Sequence, residues 1–358
     1  MSGCRSPVNF EIPEFAAVVA ALIAGGAALA LFAVVLGLRA VHVLHKRRMK
    51  TMREAWWPIL AETAVSSRRV DEAQRPALRR RDRRLLLREW SRFRGLLHGQ
   101  ASANLNALAI DLGLLALARR ELRRRSVDHR LMGLRAVGQM RDADSWDAID
   151  ASVESDNVAL AVTAATALSD IDPDRAIPRI VPVVARSARW PRTQVGRILN
   201  GAGPDIVSSR LCREIAEAPP EQVVRLLQFA DSAFASDINA VAERLLTTRD
   251  EPALLSAALK AARGRICPKR VMELTRHEAW FVRMQAASLL GRVGMREDLS
   301  TLEPLLADSE WWVRYRAAQA LVASPYLGPN AIRRIAARQR DRFASDILRQ
   351  ALAEKGLA

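Results

Sequence analysis

Two stretches near the C-terminus are almost the same text: His277 to Ala287 reads HEAWFVRMQAA and Asp308 to Ala318 reads DSEWWVRYRAA. Trp280 maps onto Trp311, Val282 onto Val313, Arg283 onto Arg314, Ala286 and Ala287 onto Ala317 and Ala318, and Leu290 onto Leu321, a repeat of 31 residues. A unit of this size holds two helices and buries its apolar face only against a neighbour, so it has to stack.

The period continues upstream. Ala164, Ala165 and Leu168 hold the same places four periods earlier, and Gly133, Leu134 and Val137 one period before that. Turn signals recur between them, at Arg141 to Asp144, Asp170 to Pro173, Gly201 to Pro204, Pro219-Pro220, Arg249 to Pro252 and Gly291 to Asp298. The pattern predicts about seven helical pairs from Asp128 to near Arg340, closed by a helix over Phe343 to Ala353.

Asp308, followed by Val313-Arg314, Ala317-Ala318 and Leu321, resembles a HEAT repeat, most closely the short bacterial type also seen in phycobilisome-lyase relatives. The resemblance is specific over 277–322, weaker over 128–170 and 185–260, and does not reach residues 1–127. It implies that Asp and Arg of successive repeats form a hydrogen-bonded ladder inside the stack. The matching positions here are Asp308, Arg283 and Arg314, while His277 stands where an Asp is expected.

At the other end, Phe15 to Leu38 contains no charged residue. These 24 residues span about 36 Å as a helix, against a hydrocarbon core of about 30 Å. A cleavable signal peptide is the rival reading, with Ala28-Leu29-Ala30 imitating its small-residue site. Glu11 and Glu14 ahead of the run, and apolar residues continuing to Leu38, favour an uncleaved anchor. Arg39, Lys46, Arg47, Arg48, Lys50 and Arg53 follow it, which places the N-terminus outside and the repeats in the cytoplasm, on a single-pass inner-membrane protein. Small residues at Ala17, Ala21 and Gly25 would admit a second transmembrane helix, although an alanine-rich composition is the favoured explanation.

The expected architecture is all-α, a transmembrane helix followed by a HEAT-type α-solenoid. Its divisions are a short extracytoplasmic N-terminus (1–14), the transmembrane helix (15–45), a basic juxtamembrane linker (46–75), a helical cap (76–127) and the repeats (128–358). In the cap, Pro76 to Arg94 reads as an amphipathic helix with Leu86, Trp90, Phe93 and Leu97 on one side. It either lies on the membrane or docks on a second helix over Ala103 to Arg120.

A net charge of +16 invites a nucleic-acid reading, so its placement matters. Lys46 to Arg125 holds 21 basic and 8 acidic side chains, whereas Ser126 to Ala358 holds 32 and 29. The excess sits beside the anchor, where Lys46, Arg47, Arg48, Lys50 and Arg53 are candidates for contact with anionic lipid headgroups. A nearly neutral repeat surface suits a protein partner, and no specific nucleic-acid binding is expected.

No catalytic, cofactor or metal site is expected. Cys4, Cys212 and Cys267 fit neither a disulfide framework nor a zinc spacing, and isolated buried thiols are the expectation for the last two. His42 and His45 lack a nearby carboxylate or Cys to share a metal with. The chain holds eight Trp and two Tyr. Trp280, Arg283, Trp312, Arg314 and Arg316 are candidate partner contacts, because Trp and Arg dominate interface hot spots. The opposing placement puts Trp280 and Trp311 in the core between repeats. The expected function is a membrane-tethered scaffold binding a membrane-associated protein, with envelope polysaccharide synthesis suggested by analogy. The alternative is a lyase-like array acting on a small molecule or nucleic acid.

Overall fold

The computed structural model describes residues 11–66, 73, 75–80 and 82–357. Most of the N-terminal segment 1–14, with Cys4, and most of 67–74 lie outside the described residues. The chain divides into two units, Met1–Leu117 and Ala118–Ala358, ten residues ahead of the boundary expected at 127/128. Every regular element among the described residues is helical.

The first unit is organised by α1 (Glu11–Val65), 55 residues long. Its apolar stretch from Leu22 has a mean hydropathy of 2.2 and none of it is buried, so α1 is long and apolar enough to cross a membrane. The linker expected over 46–75 is instead helix as far as Val65, even past Pro58, whose missing N–H weakens one turn. The reason is a second apolar stripe: Trp56, Leu60 and Ala64, at steps of four, are buried. They pack with α2 (Arg83–Arg94), which buries Leu86, Leu87 and Trp90, and α3 (Gln100–Asp111), which buries Leu105, Leu108 and Ala109. The Trp90 indole N–H donates to the Leu105 carbonyl at 2.9 Å. The amphipathic stripe of α2 is thus spent on a small bundle, and the helix starts seven residues later than Pro76. The second helix is broken at Gly113, whose φ of +67° no helix accommodates.

After α4 (Leu114–Leu122), which carries the division between the units, the second unit is two layers of helices. The first layer runs α5 (Val127–Gln139), α7 (Val158–Ile171), α9 (Arg192–Ala202), α11 (Pro220–Leu226), α13 (Pro252–Ala261), α15 (Trp280–Val293), α17 (Trp311–Ala323) and α19 (Arg342–Glu354). The second holds α6 (Trp146–Asp150), α8 (Pro173–Arg186), α10 (Pro204–Glu217), α12 (Ala235–Thr248), α14 (Pro268–Leu274), α16 (Leu299–Leu302) and α18 (Pro329–Arg338). That is seven pairs and a closing helix. Proline opens α8, α10, α11, α13, α14 and α18, where its fixed φ suits the first turn and its missing N–H would be unpaired in any case. Asn157 and Asp172 cap α7 and α8 with their side chains.

One buried pattern recurs along the first layer. In α7 it is Leu160, Ala164, Ala165, Ala167 and Leu168; in α15 Val282, Ala286, Ala287, Leu289 and Leu290; in α17 Val313, Ala317, Ala318, Ala320 and Leu321. Methyl-sized side chains at its centre let neighbouring helices approach closely. The approach is tightest at two glycines. A Cβ on Gly138 would stand 2.6 Å from Ala167 Cα, and one on Gly291 2.6 Å from Ala320 Cβ and 2.7 Å from its Cα. These are the same joint, found between α5 and α7 and again between α15 and α17.

Gly291→Ala is therefore expected to destabilise the full-length protein by about 1–3 kcal/mol, because the obstructing atoms belong to a packed helix. Gly196→Ala in α9, where an added Cβ meets nothing within 4 Å, should instead gain up to about 1 kcal/mol. Thermal unfolding of the two variants in detergent, followed by circular dichroism, compares them; equal shifts would contradict the close-approach account.

Candidate functional site

With the buried pattern filling one side of α15 and α17, the aromatic residues that open each helix are left on the other. Trp280 is 37% exposed, Trp311 48%, Trp312 50% and Phe343, which opens α19, 70%. Trp280 and Trp311 therefore do not fill the core between repeats, because a joint spaced by methyl groups has no room for an indole. The Trp311 ring stacks on Tyr315 at a centroid distance of 5.0 Å and meets Trp312 edge-on at 4.8 Å. Trp280 meets Phe281 edge-on at 5.9 Å. Between α17 and α19, Trp311, Arg314, Phe343, Asp346, Ile347 and Gln350 line a groove of about 450 Å³. Phe343 carries this aromatic row into the last helix, and sequence reading passed over it because Arg342 replaces the first Trp of the pair.

The arginines nominated with these aromatics part company. Arg283 grips Asp308 with two parallel hydrogen bonds, Nε to Oδ2 and Nη2 to Oδ1, both at 2.7 Å, and donates to the His277 and Glu278 carbonyls at 2.8 Å. Arg314 donates to the Asp308 carbonyl and, at 3.2 Å, to Asp341. Both are spent within the stack, whereas Arg316 is exposed and bonds only Gln319. His277 keeps the turn contact of the Asp it replaces, its Nδ1 accepting from Ala279 N at 3.0 Å as Asp308 Oδ1 accepts from Glu310 N at 2.9 Å. Similar clamps, invisible to the repeat spacing, join other neighbouring elements: Arg119 on α4 to Asp142, Arg179 to Asp150, Arg265 to Asp298 and Arg270 to Asp250.

These clamps shift the carboxylates. Burial acts to raise Asp308, but the hydrogen bonds from Arg283 and from the Glu310 N–H, with the Arg283 charge, outweigh it and hold the carboxyl below its ordinary value. Asp142 is held low in the same way, burial opposed by Arg119 and Ser145.

In the first unit Lys46, Arg47, Arg48 and Lys50 lie along α1 with exposed side chains, apart from a 3.8 Å contact of Lys50 with Glu54. Arg53 is not a free headgroup contact. Its guanidinium pairs with the buried carboxylate of Glu89 at 2.7 and 3.1 Å, because a buried carboxylate needs a partner. Cys212 and Cys267 are half-buried rather than buried, and desolvation pushes both thiols up. Among the described residues no three His, Cys, Asp or Glu side chains come together as metal ligands.

Residues 238–322, from α12 to α17, match the family described as HEAT repeats. No curated protein matches the chain. Among solved structures, Kap121p bound to Pho4p is similar at 11% identity and a TM-score of 0.45, over 82% of this chain and 40% of that one. Kap121p bound to RanGTP gives 12% and 0.43 over 82% and 40%, and importin beta in an ammonium sulfate condition 15% and 0.41 over 80% and 46%. The chain spans less than half the length of the solved chains it matches.

Because the folded-state pKa of Asp308 is depressed, its stabilisation is complete above the unfolded value of about 3.9 and is lost as pH falls through the folded one. The melting temperature should therefore drop between pH 5 and pH 2. Asp308→Asn, which leaves Arg283 without its countercharge, should cost about 2 kcal/mol at pH 7 and flatten that acid limb. A pH series of melts on the two proteins reads both effects.

Proposed function

We propose that this chain is a membrane-tethered scaffold whose repeat unit binds a protein partner through the aromatic face of α15, α17 and α19. The observation that carries it is the row Trp280, Trp311, Trp312 and Phe343, large rings left in solvent on three consecutive helices of one layer. Scattered apolar residues are ordinary on a surface, but adjacent aromatic rings beside a groove are the pattern of a contact site. The match of residues 238–322 to HEAT repeats supports the stacked architecture that presents this row.

Tethering rests on α1. Its exposed apolar stretch followed by exposed Lys46, Arg47, Arg48 and Lys50 fits a single span with the repeats on the cytoplasmic side of the inner membrane. Lys46 to Lys50 would then meet anionic headgroups, and the partner would be membrane-associated, as in an envelope assembly making polysaccharide. The array acts by binding in this reading, not by catalysis.

Replacing Trp311 and Trp312 with Ala should change stability by less than about 1 kcal/mol, against about 3–5 kcal/mol for a core Trp. The same variant, crosslinked and purified from solubilised membranes, should lose one reproducible membrane protein that the unaltered chain retains. An unchanged partner list with intact folding would move recognition off this face, and a large loss of stability would return the indoles to the core. Orientation is read from Cys4, which a membrane-impermeant maleimide should label from outside the cell.

A further inference from the structure

A second groove, of about 350 Å³, lies in the middle of the repeat unit between α9, α11, α13 and α15. Its charge is gathered by the C-terminal end of α13, where the last carbonyls of a helix lack partners and carry partial negative charge. Arg263 Nη1 donates to the carbonyls of Lys260, Ala261 and Ala262 at 3.0, 2.8 and 3.3 Å. Arg292 reaches across from α15, and its Nη2 donates to the carbonyls of Leu259 and Ala262, both at 3.2 Å. Two guanidiniums thus meet at one carbonyl oxygen. Burial, and then the like charges of Arg263 and Arg316, pull the Arg292 guanidinium below its ordinary value.

Around this pair stand further cations without ion pairs among the described residues. Lys260 and Arg192 line the groove and are exposed, and Arg192 donates to the Gln228 carbonyl at 3.1 Å. The one carboxylate lining the groove, Asp231, is taken by Arg263. The near-neutral count for the repeats therefore conceals a local surplus, since Arg192, Lys260 and Arg263 line the groove against Asp231 alone. Between them the wall is aliphatic, with Val224, Leu227, Ala253 and Ala257, and no aromatic ring lines it. Nucleic acid would find charge there but no platform for its bases. A carboxylate on a short aliphatic stem matches both the charge and the wall.

We propose that this groove binds an acidic segment of a partner polypeptide, its Glu or Asp carboxylates meeting Arg192 and Lys260 and its aliphatic side chains lying on Val224, Leu227 and Ala257. The inference rests on the reading of the repeat unit as a protein-binding surface, and it names a different place and chemistry from the aromatic row.

The test uses purified full-length protein in an uncharged detergent and a fluorescein-labelled Glu/Leu-rich peptide, with a Lys/Leu-rich peptide and a single-stranded oligonucleotide of equal length as competitors. The acidic peptide should bind, weaken steeply with salt, and lose at least about tenfold in affinity in Arg192→Glu/Lys260→Glu with an unchanged melting temperature. Arg79→Glu/Arg80→Glu, on exposed residues of the first unit, should leave affinity within about twofold, because the proposed contacts lie elsewhere. No peptide binding, equal loss in both variants, or tighter binding of the oligonucleotide would each overturn the proposal. Failure here with partner loss in the Trp311/Trp312 variant retires the groove alone; failure in both retires the scaffold reading.

Discussion

Helix approach in the first layer is limited by atoms no larger than a methyl group, and most of what the repeat unit presents follows from that limit. With Ala286, Ala287, Ala317, Ala318 and Ala320 between α15 and α17, and Gly291 against Ala320, the two helices touch almost backbone to backbone. Such joints gain dense packing but bury little area per residue, so each needs many small contacts rather than a few large ones. Large rings are excluded from the joint. They collect where the helices begin, on the free side, which is how a stack built from alanine comes to display tryptophan.

Charge is distributed by the same geometry. Two of the carboxylates placed between neighbouring elements, Asp142 and Asp298, are shielded from water. A shielded carboxylate is stable beside a bidentate or hydrogen-bonded cation, which suits Arg to the clamps. Arg283, Arg314 and Arg316 lie within two repeats of each other, yet helix phase separates them. The first two point along the stack into clamps, and the third, two residues further around α17, faces solvent. Reversing Asp308 and Arg283 would preserve the charge count and lose the fork geometry.

The repeat, its pair count and its turns were legible because they depend on local rules: apolar spacing, proline at helix starts and capping side chains. The Arg283 to Asp308 clamp was legible only through family resemblance, since nothing in spacing says which Arg meets which Asp. Other features depend on three-dimensional packing that periodicity does not encode. The indoles at Trp280 and Trp311 recur like core residues, and only the alanine-limited joint shows why they are not. The groove at the end of α13 is not legible in the sequence because its cations come from two separate repeats, Arg192 from one and Lys260 and Arg263 from another, and share no motif. The linker over 46–75 was misjudged for a related reason. A basic stretch reads as solvated chain, while Trp56, Leu60 and Ala64 form a helical stripe within it.

That last difference alters what a tether would do. A flexible linker lets an attached domain diffuse through a volume set by its length, whereas a helix holds it at a height. At 1.5 Å per residue α1 is about 80 Å long, of which a bilayer core takes about 30 Å. Were the apolar stretch in a membrane, the turns from Lys46 to Val65, part of which packs against α2 and α3, would stand clear of the hydrocarbon. Arg53 paired to the buried Glu89, and Trp56 seated in the same core, fasten that bundle to the shaft at its base. On the proposed tether, the first unit would be positioned by helix geometry rather than by chain statistics, with exposed Lys46, Arg47 and Arg48 on the shaft itself.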